Sequence, residues 1–172
     1  MNMVVQVEAA ALAPAEVDYR WDADTDILTA SCRASAVREG LSGSVELTGG
    51  DGSWLILDIA AGHIAGVEVA VWPDVRKRRT LQPPQAEDAR LVVVPGRDAR
   101  GPAAEHRIAS IEVDTALAAE ADEAERTIHF VVGKSRPSRT VRIARDILID
   151  VDGSSRIAGV WLLNVPPFPA TE

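Results

Sequence analysis

The sequence predicts an all-β protein: two related β-meander units packed as a pseudo-symmetric sandwich or a partly closed barrel. Three observations predict it. One motif occurs twice, as Asp58-Ile59-Ala60-Ala61-Gly62-His63-Ile64-Ala65-Gly66-Val67-Glu68-Val69 and again as Asp150-Val151-Asp152-Gly153-Ser154-Ser155-Arg156-Ile157-Ala158-Gly159-Val160. Each copy is an apolar strand ending in Asp, a short polar turn with Gly, and a second strand opening Ile-Ala-Gly-Val, the pattern of a β-hairpin. Short segments that alternate apolar and polar residues, separated by turn clusters, recur elsewhere in the chain. Finally, Trp54–Ile59 and Asp146–Val151 carry apolar residues on both faces, as strands covered on both sides do, and this requires two layers around a shared core.

Taken in order, the elements are as follows. Val4 to Ala13 has a composition that fits either a short strand or a loose leader. Val17-Asp18-Tyr19-Arg20-Trp21 alternates as a half-buried strand, Asp22 to Asp26 forms a turn, and Ile27 to Cys32 returns with Leu28, Ala30 and Cys32 on one face. Ala34 to Gly43 connects to the short strand Val45-Glu46-Leu47, which a glycine-rich turn joins to the Trp54 strand. Ile64 to Trp72 completes the hairpin, with Val67, Val69 and Val71 on one side, Glu68 on the other, and Pro73 as the stop. This is the first β repeat, 1–72.

Residues 73–107 interleave prolines with charges and read as a linker. Only Leu91-Val92-Val93-Val94 resembles a strand there, and Pro95 after it suits a sheet edge. The second β repeat, 108–172, shares a core with the first. Its Ile111–Asp114 alternates, while Thr115 to Glu125 is rich in Ala and Glu and fits two helical turns or a long acidic turn. Leu28, Ala30 and Cys32 align with Ile128, Phe130 and Val132, Val45–Leu47 with Thr140–Ile143, and the Trp54 strand with Asp146–Val151. In this register Trp161 stands where the first copy has Glu68. A tryptophan at an outward position points to contact with the other copy, a second subunit or a ligand.

Composition narrows the function classes. Of 172 residues 47% are hydrophobic, enough for a packed interior, and the formal charge of -8 opposes binding to nucleic acid or an anionic membrane. Cys32 is the sole cysteine, which rules out an intramolecular disulfide or a cysteine metal cluster within one chain. No apolar run is long enough for a membrane span, and the N-terminal residues lack the basic start of a signal peptide, so a cytoplasmic location is expected.

Within the first unit, Tyr19-x-x-Asp22-x-x-x-Asp26-Ile27-Leu28 followed by Asp58-x-x-x-Gly62-x-Ile64-x-Gly66-Val67-Glu68 resembles a small bacterial family called domain of unknown function twenty-two eighty-three. The second unit resembles it at Asp150, Gly153, Ile157, Gly159 and Val160, and lacks the tyrosine and the final Glu. The resemblance covers residues 17–72 and, more loosely, 108–165. It implies a compact β architecture and brings no activity with it.

Motifs with a possible chemistry resolve into turns and solvated faces. Asp22-x-Asp24-x-Asp26 opens like a calcium loop, but the sixth and twelfth places hold Ile27 and Arg33 instead of Gly and Glu. Asp150-x-Asp152-Gly153 reads as a turn. Gly133-Lys134-Ser135 lacks the first glycine of a phosphate loop, and Pro137 blocks the helix that should follow. His63, His106 and His129 are scattered; His129 lies opposite the Ile128/Phe130 face and is expected to be exposed. Cys32 is expected to be a buried, inert thiol. Arg76-Lys77-Arg78-Arg79 and the group Lys134, Arg136, Arg139, Arg142, Arg145 are expected to pair with the acidic excess. Aromatics at 4% of the chain are too few for base-stacking recognition of RNA.

No catalytic residue, metal ligand or cofactor is assigned. The expected function is a non-enzymatic cytoplasmic interaction or scaffold protein that binds a protein partner or itself. The alternative is a small-molecule-binding β-barrel, or an enzyme with an apolar cavity and no triad. The residues singled out as a ligand or partner surface are Trp54, Trp72, Trp161 and Arg142; a cavity of several hundred Å³ would favour the alternative.

Overall fold

The structure is a computed structural model, and it describes residues 4–9, 13–33, 42–94 and 108–169. The connection at 34–41, Pro95 and His106 lie outside the described residues. Fourteen strands make up the fold, and no helix is present among the described residues. They are β1 (Val4–Ala9), β2 (Val17–Asp22), β3 (Ile27–Cys32), β4 (Ser42–Thr48), β5 (Trp54–Ala60), β6 (His63–Val71) and β7 (Val75–Arg78). After these come β8 (Glu87–Val94), β9 (Ile108–Asp114), β10 (Leu117–Asp122), β11 (Ile128–Val132), β12 (Pro137–Ala144), β13 (Ile147–Asp152) and β14 (Ile157–Leu162).

The all-β expectation holds, and the strands join into one sheet curled as a half-barrel. Two antiparallel runs have the same order: β2-β3-β6-β5-β4 and β10-β11-β14-β13-β12. In one, Asp58 lies opposite Gly66, and Glu68 lies between Thr29 and Ile56. In the other, Asp150 lies opposite Gly159, and Trp161 lies between His129 and Leu148. Parallel pairs tie distant parts of the chain together: β9 on β4, β7 on β10, and β8 on β12.

The core lies between the inner faces of the two runs. Leu28, Leu57, Val67 and Val69 from the first meet Phe130, Ile149, Val160 and Leu162 from the second in one cluster, each fully buried. Seams at the edges hold the runs together. Tyr19 donates its hydroxyl to the Leu163 carbonyl at 2.6 Å, and the Arg145 amide donates to the Ala15 carbonyl at 2.8 Å. Burial, and secondarily the Asp146 charge, push the Tyr19 phenol above its ordinary range, so it stays a neutral donor.

Several elements differ from the sequence expectation. Thr115–Glu125 is not helical, because its central residues pair with β11 as β10 and send Ala119 and Ala121 into the core. The alternation is there, but its inward residues are alanines, which carry the same polarity signal as the outward Ala118. The described part of the 73–107 stretch holds two strands. The charged Val75-Arg76-Lys77-Arg78 forms β7, whose Lys77 pairs with Glu125 and whose Arg78 pairs with Glu120. β8 is not an edge strand: β1 pairs along it, and β12 and β6 join at other points.

Coverage on both faces divides the two runs. β13 and β14 are buried at every position. β5 is not: Trp54 is 36% exposed and Asp58 is exposed, with Ile56 half-buried between them. Topology accounts for the difference. From Arg78 to Glu87 the chain passes from the β10 edge of the second run to its β12 edge. Extended at about 3.4 Å per residue, that segment is long enough to cross five strands spaced about 4.8 Å apart. The core occupies the inner face, and the half-burial of Leu81, Pro83 and Ala86 along the segment fits a crossing over the outer face. The first run has no counterpart crossing among the described residues.

Candidate functional site

A cleft of about 510 Å³ opens where the two runs meet, lined by Trp21, Trp72 and Phe168 among others. Each aromatic arrives by a different route. Trp21 lies one residue from the end of β2, on the face that also carries Val17 and Tyr19. Trp72 follows β6, just before the buried Pro73. Phe168 belongs to the Pro166-Pro167-Phe168-Pro169 tail, which Val165 anchors: it is fully buried and its amide donates to the Arg126 carbonyl at 2.9 Å.

The rings form a continuous surface. Trp21 and Trp72 stack with centroids 5.8 Å apart and planes 18° from parallel. Phe168 meets Trp21 edge-on at 5.1 Å, and Trp72 leans on the core residue Phe130 at 5.7 Å. Both indole N–H groups are already used, Trp21 on the Pro166 carbonyl at 2.9 Å and Trp72 on the Asp26 carbonyl at 2.7 Å. These bonds fix the ring planes and leave only π faces for a ligand. Val75, Ala121, Ala124 and Ile128 complete an apolar floor, with the Lys77–Glu125 ion pair at its margin. Phe168 is 42% exposed and Val75 37%, so apolar surface stays open to solvent here.

The second feature is a buried polar cluster on the outer face of the second run. Asp150, 2% exposed, accepts from Thr140 Oγ1 at 2.6 Å and from Trp161 Nε1 at 3.1 Å, and its Oδ2 lies 2.9 Å from His129 Nε2. His129 and Trp161 stack at 3.9 Å. Burial alone would raise the Asp150 carboxyl; the bonds from His129, Thr140 and Trp161 outweigh it and hold the group below its ordinary value. Gly159 makes room for this, because a Cβ there would stand 2.5 Å from Asp150 Oδ2 and 3.0 Å from the Phe130 carbonyl. The corresponding place in the first run holds Asp58 and Glu68. Burial raises both carboxyls, and Asp58 adds to the rise at Glu68.

The four residues singled out from sequence do not come together. Trp72 lines the cleft, Trp54 lies exposed at the start of β5, and Trp161 is sealed into the Asp150 cluster within its own run. Arg142, on β12, donates to the Arg145 carbonyl at 2.6 Å and lies 3.8 Å from Asp88. His129 is not exposed, because Asp150 draws it in and its side chain keeps only 16% of its surface. Asp150 itself is a strand residue; the turn begins after Asp152, whose Oδ1 accepts from the Ser154 and Arg156 amides. Basic residues pair with acidic ones as expected: Arg139 with Glu87, and Arg145 with Glu16 at 3.7 Å. Sequence reasoning missed Trp21 and Phe168. The available signal was the apolar, proline-rich end of the chain, which has no reason to be apolar unless it packs.

Among the described residues, no group of three or more His, Cys, Asp or Glu side chains is placed to hold a metal ion. No described helix is long and apolar enough to cross a membrane. No family model and no curated protein matches the chain.

Proposed function

We propose that this chain is a non-enzymatic binding module of the cytoplasm whose working surface is the Trp21/Trp72/Phe168 cleft. The observation that carries the reading is an aromatic wall, two half-buried indoles stacked on each other with the exposed Phe168 edge-on to one, whose polar atoms are already bonded within the chain. Such a surface gains by covering apolar area and offers little hydrogen-bond specificity, which suits an apolar segment of a partner protein. On this reading the two five-stranded runs are diverged copies of one unit, the second adapted to packing.

One observation favours a second reading, a small-molecule site: about 510 Å³ falls within the range of ligand pockets. Native mass spectrometry of the chain recovered from its own cells separates the two. A bound protein supports the interaction module, and a bound small molecule supports the ligand site. Retention of either one unchanged in the Val75→Glu variant, which puts a charge on the cleft wall, refutes the cleft as the surface.

A further inference from the structure

We infer that the two ends of the sheet are complementary docking edges, and that the occupant of each is the opposite edge of a second copy of this chain. The main path of strand pairs begins at β7 and finishes at β9, with no described strand beyond either. An edge strand leaves a row of backbone N–H and C=O groups that another strand can pair. β7 joins β10 in parallel, β9 joins β4 in parallel, and the pairings between them leave β7 and β9 running in opposite directions. With inner faces continuous, β9 of one copy and β7 of the next therefore make an antiparallel pair.

Charge selects this pairing. β7 is exposed throughout; Val75 and Lys77 lie beside the inward Ala119 and Ala121, so alternation puts Arg76 and Arg78 on the outer face. On β9 the half-buried Ile111 and Val113 pack on the core, which leaves Glu112 and Asp114 exposed on the same outer face. A register that sets Arg76 opposite Asp114 also sets Arg78 opposite Glu112. Each edge has charge to spare. Arg76 has no ion-pair partner among the described residues, while Lys77 and Arg78 have theirs. Glu112 lies directly opposite Glu46 on β4, and like charges so placed repel until a cation comes alongside. Charges that served only to guard an edge would work with either sign. Opposite signs at the two ends repel β7 from β7 and β9 from β9, and attract β7 to β9. The contact is head to tail, and it closes a ring or extends a line of copies according to the rotation between neighbours.

The test is sedimentation velocity of the full chain. One strand pair is a small interface, so a dissociation constant on the order of 0.1 mM is expected, and the weight-average mass should rise over a series from about 0.01 to about 1 mM. Arg76→Glu and Asp114→Lys change exposed residues that do not line the cleft, and each variant should melt like the parent. Each alone sets like charges against each other at the seam and is expected to weaken association at least about tenfold. An equimolar mixture of the two should recover the parent's mass, because every seam between unlike variants joins two untouched edges or two swapped ones. A parent chain that stays monomeric across the series overturns the inference, whatever the variants do. So does association that either variant leaves unchanged, which would make one edge irrelevant, or a mixture that stays monomeric.

Discussion

Changing the same residue at two corresponding positions should have unequal consequences. In Asp150→Asn, the carboxylate that accepts from Thr140, His129 and Trp161 is replaced by an amide with one acceptor and one donor. The oxygen can keep Thr140, and His129 can change tautomer to accept from the new NH₂. With the oxygen on Thr140, the Trp161 indole, 6% exposed and able only to donate, faces a donor; with the amide flipped, Thr140 accepts from the NH₂ and its own hydroxyl proton loses its acceptor. An orphaned buried donor costs about 1–3 kcal/mol, and two bonds to a charge become neutral ones, for an expected loss of about 2–4 kcal/mol. In a chain of this size that is a fall in Tm of about 4–16 °C. Asp58, by contrast, accepts no hydrogen bond from a described residue and lies against Glu68, so Asp58→Asn is expected within about 0.5 kcal/mol of the parent or slightly above it. Paired urea and thermal unfolding at neutral pH give the comparison. Losses of equal size at both positions, or a loss under about 1 kcal/mol for Asp150→Asn, would refute the view that one carboxylate organises its face and the other merely sits on it.

Further predictions test neighbouring features. Gly159→Ala meets Asp150 Oδ2 at 2.5 Å and the Phe130 carbonyl at 3.0 Å, while Gly66→Ala meets the Ala30 carbonyl at 3.0 Å and Asp58 Oδ2 at 3.2 Å. Overpacking costs about 1–3 kcal/mol, and chemical denaturation should place Gly159→Ala at the upper end and Gly66→Ala at the lower. Stability should peak on the acid side of neutrality. Asp58 and Glu68, raised above 3.8 and 4.5, contribute stability that is lost as pH rises through their folded values, whereas Asp150, held below 3.8, contributes stability lost only as pH falls beneath it. A pH series of melts on the parent and on Glu68→Gln checks this, and a rise from pH 7 toward about 5 that Glu68→Gln leaves unchanged counts against it. Burial pushes the Cys32 thiol from 9.0 to about 11, so its thiolate should be about a hundredfold scarcer than in the unfolded chain. Ellman's reagent should react correspondingly more slowly before denaturant is added, and equal rates would show the thiol to be accessible.

How much of this was legible depended on whether the deciding contact was local. The hairpins were readable because alternation, a terminal Asp and an Ile-Ala-Gly-Val start are local signals, and the pairings of Asp58 with Gly66 and Asp150 with Gly159 follow from them. β10 was not, since alanine on both faces erases the alternation that reveals a strand. β7 was hidden by charge: Arg76, Lys77 and Arg78 were expected to pair with acidic residues but lay in a stretch read as a linker, and Glu120 and Glu125, which come alongside, are more than 40 residues away. His129 shows the limit most clearly. Its position on the outward face was read correctly, and the inference of exposure failed because the outward face of that run is buried. The cleft depends on three segments that meet only in the folded chain, so its aromatic composition was visible in the sequence and its convergence was not.

The two runs also show why a tryptophan occupies the place of a glutamate. The Asp at the end of the hairpin's first strand points to the outer face in both, and the glycine opposite leaves it room. Where that face is more open, the carboxylate keeps enough water to do without donors, and partial desolvation with a second acid beside it, Glu68, costs only raised pKa values. Once a chain segment covers the face, the carboxylate loses water and must be given donors. A glutamate at 161 would supply none and add a second buried charge. Trp161 supplies an N–H and a broad apolar body, and His129, in place of Thr29, supplies a second ring nitrogen. The difference between Glu68 and Trp161 at equivalent positions therefore follows the covering of the sheet, and it needs no ligand at Trp161. That assigns the sealed half of the molecule to structure and directs the search for a binding surface to the aromatic rings that stay in contact with solvent.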